Sequence, residues 1–301
     1  MLTLNPDGWA SVRALATALL GQPGQEESVR ELLRKWSAQP SDAKQRLWGE
    51  IAIATVTGDF TTAIERTRAL DDVVKDVREE KDHAESASML ATVFEEIGKP
   101  RDADRAARSF LARRAAYEPS PSRDRYATGL DPTGVLLSIE RRAGTLSAGQ
   151  HREQLQARLD WWDRRLGKTC WLRYSVWQTQ YADAVQTAAE AREALEARQR
   201  FGRAYEGSPG SLGRTYLLAG MAAEALPLLE QDAKRCAFVF GDHLQHTRSW
   251  FFLGEARAAK GDRPGACAAY GKLLERWGAA KPRSLTAEKA RRRQRELRCS
   301  P

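Results

Sequence analysis

The sequence predicts an all-α fold: a solenoid of antiparallel helix pairs stacked at a pitch of 40–41 residues, irregular in the middle. Three observations lead there. Ala, Leu, Arg and Glu dominate while Val and Ile are scarce, which favours helices over sheets. Glycine turns, small residues and apolar stripes recur at the stated pitch. The hydrophobic fraction of 42% fills a real core, yet no run of 18 apolar residues is long enough to span a membrane.

Read from the N-terminus, Gly58-Asp59-Phe60 with Ala63 marks a turn and a second helix. Gly98 and Ala103 repeat that mark 40 residues later, after Leu90 and Phe94. Residues Glu118 to Pro132 hold three prolines, Gly129 and two serines, and read as a loop or linker. A short helix follows near Thr133–Arg142, then a turn at Gly144 and a helix over Gly149–Leu166. A repeat expected near 143 is missing, so the middle is either a distorted unit or a break between two helical lobes. Ala184, with Ala188 after it and Trp171-Leu172 before it, reads as a degenerate unit without a turn glycine. Leu212-Gly213, Tyr216, Gly220, Ala225 and Leu229 make the next unit. Residues 247–280 make the clearest one, and a basic helix from Leu285 onward caps the array. The chain thus divides into N-terminal repeats (1–117), an irregular helical connector (118–165), C-terminal repeats (166–280) and a basic capping helix or tail (281–301).

The 247–280 unit explains itself physically. Trp250, Leu253 and Arg257 share one face of a first helix. Gly254 and Ala266 are small enough for two helices to approach closely. Gly261 stops the first helix, Asp262 caps the second, and Pro264 suits its first turn. Ala266, Tyr270, Leu273 and Leu274 form the second stripe. A lone hairpin cannot bury both faces, so neighbours must stack.

Trp250, Leu253-Gly254, Ala266 and Tyr270 stand at the offsets of the tetratricopeptide repeat, which this unit closely resembles. Arg257 and Gly278 depart from the usual Tyr and Pro. The pitch exceeds the family's usual length and is similar to longer repeats of the kinesin-light-chain type. The last 60 or so residues, from Gly261-Asp262 through Arg276-Trp277-Gly278 to Ala290-Arg291, look like the repeat region that follows the catalytic domain in some bacterial serine/threonine kinases, myxobacterial ones above all. That resemblance implies a regulatory or scaffolding module. It also implies a partner site on the concave face of the first helices, at Arg173, Trp177, Arg214, Leu218, Arg248, Phe251 and Glu255.

Chemistry is sparse. No Gly-rich loop, H-R-D or D-F-G set, P-loop, G-x-S-x-G or H-E-x-x-H is written in the chain. Neither catalytic residues nor a cofactor are expected. His243 and His246 could share a helix face, but no third ligand stands nearby, so no metal is expected. The four cysteines form no C-x-x-C pair and read as small buried hydrophobes. Glu79-Glu80 and Glu95-Glu96 read as solvated helix faces. Trp161-Trp162 and Trp177 read as core before they read as hot spots.

The net charge of +8 is concentrated: residues 281–301 carry +6 of it. That argues against a long nucleic-acid groove, and nucleic-acid binding is not expected. The partner expected is a protein or peptide, acidic or phosphorylated, met by arginines and aromatics. The alternative is a small-ligand or enzymatic pocket in the irregular middle. An N-terminus without a basic stretch before an apolar run suggests a cytoplasmic protein.

Overall fold

Gly-Asp punctuation and small-residue crossings do set the helices. A computed structural model describes residues 24–36, 43–74, 80–114, 131–166, 173–201, 209–234 and 242–299. Among these residues there are fourteen α-helices and no strand. They are α1 (Glu26–Trp36), α2 (Ala43–Thr57), α3 (Phe60–Val74), α4 (Glu80–Glu96), α5 (Pro100–Arg114), α6 (Thr133–Ala143) and α7 (Ala148–Leu166). Then come α8 (Arg173–Gln180), α9 (Ala188–Arg198), α10 (Pro209–Leu218), α11 (Ala222–Lys234), α12 (Asp242–Ala259), α13 (Arg263–Trp277) and α14 (Leu285–Glu296). From α2 to α13 they pair into six antiparallel hairpins packed in series.

In the 247–280 unit each expected device is in place. Gly261 has φ +79°, and the Asp262 carboxylate accepts from the Gly265 N–H at 2.9 Å. A Cβ on Gly254 would lie 2.4 Å from the Tyr270 ring, so only glycine lets α12 and α13 cross there. Ala266 is fully buried at the same crossing.

A helical hairpin occupies the region near 143 where the sequence shows no clear unit. α6 and α7 form it, turning at Gly144 with φ +80°. Second helices begin at 60, 100, 148, 188, 222 and 263, steps of 40, 48, 40, 34 and 41 residues. One expectation needs correcting. Ala184 lies on a short 3₁₀ turn (Ala182–Ala184), not on a second helix. The buried alanines of α9 are Ala191 and Ala194, and the helix starts at Thr187 with a capping box to Glu190. Most of the 118–132 linker lies outside the described residues, as do Trp171, Leu172, Cys170 and Cys236.

The series returns on itself. First helices touch at α4–α6, α6–α8 and α10–α12, and α12 packs back onto α2. The largest core cluster joins both ends, holding Trp48, Ile51 and Phe60 with Tyr270, Leu273 and Trp277. The Phe60 and Trp277 rings meet edge-on at 5.3 Å, and the Trp277 indole N–H donates to the Thr55 carbonyl at 2.9 Å. Lys281 N–H donates to the Gly58 carbonyl at 2.9 Å, and Thr61 N–H to the Lys281 carbonyl at 3.1 Å.

Two further expectations change. Cys267 and Cys299 are not inert hydrophobes; they form a disulfide between α13 and the residues after α14, with Cα atoms 5.6 Å apart. Glu95 and Glu96 are not a solvated face. Glu96 is 1% exposed and Glu95 forks onto Arg142 at 2.9 and 3.1 Å.

Candidate functional site

The side chains expected to meet a partner are engaged within the chain, by neighbouring hairpins or across the closure. Arg248 is buried, and its Nε donates to Glu96 at 2.7 Å. Glu96 also accepts from the Ser284 hydroxyl at 2.5 Å, the Thr286 N–H at 3.0 Å and the Thr286 hydroxyl at 2.8 Å. One carboxylate thus joins α4, α12 and the start of α14.

Arg214 is buried between the preceding and the following hairpin. It donates to the carbonyls of Ala182 and Asp183 at 2.8 and 3.0 Å, and to the Gln245 side chain. Burial pulls its pKa down to about 10, with the Asp183 charge opposing. Trp177 is fully enclosed, its indole N–H donating to the Ala194 carbonyl at 2.8 Å. Leu218 packs on Val185, Ala191 and Ala194. Phe251 lies 6.0 Å from the Tyr270 ring against the main core. Glu255 accepts from the Tyr270 hydroxyl and from Arg293 at 2.7 Å. Arg173 pairs with Asp163 at 2.7 Å and lies over the Phe201 ring. The structure therefore does not gather the seven into one open groove. Three of them, Trp177, Arg214 and Arg248, are interior.

The described part of the middle holds a second apolar core. Leu137, Leu155, Leu159, Trp162, Tyr174 and Trp177 pack into one core. Asp131 anchors it, accepting from Arg158 and from the Trp162 indole at 2.7 Å each. Where α10 meets α12, Gly210, Ser211, Arg214, Asp232, Gln245 and Ser249 line a polar void of about 10 Å³. That is room for one water and no substrate. Among the described residues no cluster of three His, Cys, Asp or Glu could hold a metal ion, and no helix is long and apolar enough to cross a membrane.

An open cleft of about 640 Å³ lies instead between α1, α2 and α3. Arg30 and Arg34 line it from α1, Arg46 from α2 and Arg66 from α3. Ile53 and Ala54 give it an apolar stretch. Its two acids are engaged within the chain. The Asp59 carboxylate caps α3, accepting from the Thr62 N–H at 3.1 Å and hydroxyl at 2.8 Å. Glu50 sits 2.8 Å from Arg66. The other three arginines are freer. Arg30 and Arg34 have only exposed same-helix partners, Glu27 and Glu31, and Arg46 makes no ion pair among the described residues. Exposed pairs three residues apart are worth little and exchange readily.

Sequence reasoning missed this cleft. Its arginines are scattered among acids over 37 positions, and nothing in their spacing shows that they converge. The described residues form an all-helical fold with neighbouring helices packed in series and an open cleft lined by four arginines. No protein-family model matches the sequence, and no curated protein matches it.

Proposed function

We propose that the chain is a non-catalytic protein-interaction module, a tetratricopeptide-like solenoid whose ends have met, that binds an acidic or phosphorylated partner. Kinase-linked signalling is the setting that the resemblance of its last 60 residues supplies. One observation carries the reading: an open cleft is faced by four arginines, of which only Arg66 is held by an acid of the cleft, while Asp59 is taken up in capping α3. Guanidinium groups pair with carboxylate and phosphate in a fork that suits side-chain anions of a partner. Contact with the partner moves from the interior first-helix positions to α1–α3.

The test is direct titration of a fluorescent oligo-glutamate peptide into the full chain. Arg46→Glu is an exposed substitution that leaves every internal ion pair described above in place. It is expected to weaken binding about tenfold, a cost of about 1.4 kcal/mol, and the wild-type affinity should fall steeply with salt. Equal affinity of wild type and variant would remove the cleft from the interaction surface.

A further inference from the structure

Resting on that interaction reading, we infer that the cleft takes an extended peptide carrying acidic side chains at alternate positions. The spacing comes from α1. Arg30 and Arg34 both line the cleft, four residues apart on one helix face. Their backbone positions are separated along the axis by about 6 Å, at 1.5 Å per residue. Side chains i and i+2 of an extended chain lie on one face about 6.8 Å apart, at 3.4 Å per residue. Two successive same-face carboxylates of such a chain therefore meet two successive arginines. An acidic helix offers the same spacing only at i and i+4, and the intervening bulk of a helix, about 10 Å wide, is a poor match for a cleft of about 640 Å³.

The opposite walls are consistent with the same ligand. Arg46 brings a charge that no described acid answers, and Arg66 is held in place by Glu50. Ile53 and Ala54 offer apolar contact between the charged points. A single phosphate would engage one corner of a cleft that can hold several residues. The Glu27 carboxylate that neighbours Arg30 is solvated, with its side chain 76% exposed, and yields to a ligand at little cost.

The experiment compares nine-residue peptides of identical composition bound to the full chain. One carries Glu at i, i+2 and i+4; the other carries Glu at i, i+3 and i+6. The alternating peptide is expected to bind about fivefold to tenfold tighter. Arg34→Glu should abolish that preference, while Arg283→Glu, on the exposed turn before α14, should leave it intact. Inorganic phosphate serves as competitor. Displacement of the alternating peptide by phosphate at about its own concentration would replace the peptide site with a small-anion site. If both peptides bind equally and Arg46→Glu weakens both, the interaction reading stands and the spacing inference falls. If neither peptide binds, both fall together.

Discussion

His151 is 3% exposed on α7, with its Nε2 3.2 Å from the Ser138 hydroxyl and its Nδ1 buried without a hydrogen-bond partner. Burial pushes its pKa below the ordinary value of 6.5, and the Arg141 cation acts the same way against the opposing charge of Glu193. The sign follows from linkage. Above pH 6.5 the ring is neutral folded and unfolded, so its contribution to stability is fully present. As pH falls below 6.5 the unfolded chain binds a proton that the folded chain refuses, and stability is lost until the folded pKa is passed. His151→Gln is expected to flatten the fall of the urea midpoint between about pH 7 and pH 5. A variant with the same pH slope as wild type would exclude His151 as a contributor. Arg214 and Arg248 belong to the same scale: each is a charged residue placed inside because acceptors were waiting there.

At the scale of elements, most helices are cut by local chemistry, but α14 is held by distant partners. Thr286, Ala287 and Ala290 bury one side of it, and the Ser284 hydroxyl caps it by accepting from the Ala287 N–H at 2.9 Å. Its far end is stapled by the Cys267–Cys299 disulfide, which closes a loop over a sequence separation of 32. Such a cross-link restrains the unfolded chain and persists where thiols are not kept reduced. Cys299→Ser is expected to lower stability by about 2–4 kcal/mol, read from urea unfolding without reductant. Wild type and variant should then coincide once a reductant is added. A persistent gap under reducing conditions would assign the effect to something other than the cross-link.

For the whole molecule, the decisive contact is between the ends. Glu96 gathers donors from α12 and α14, and Trp277 and Lys281 hold the turn between α2 and α3. That turn includes Asp59, which lines the cleft, so closure and cleft share a wall. Glu96→Ala leaves Arg248 buried without its carboxylate, a loss of about 3–5 kcal/mol. Amide exchange should quicken first over 284–296, before global unfolding. Unchanged protection in that segment would mean that the carboxylate does not hold the ends together.

The sequence by itself determined the helices and most of their turns. Gly58, Gly98, Gly144, Gly220 and Gly261, with Asp262 and Pro264, act through contacts within a few residues, so their meaning is legible in a linear reading. The crossing of α12 and α13 was legible too, because Gly254 and Ala266 are small for a reason that the pair alone supplies. Only the tertiary structure decided which charges face inward. Arg248 and Glu96 are 152 residues apart, and Trp277 and Thr55 are 222 apart; no periodicity joins them. Arg248 was covered by distant Glu96, while Trp177 and Arg214 were covered by neighbouring elements at Ala194, Ala182 and Asp183. The open cleft was left to α1–α3, where Arg30, Arg34, Arg46 and Arg66 look in sequence like ordinary solvated residues. A side chain's type sets what it can bind, but its burial depends on which distant segment covers it.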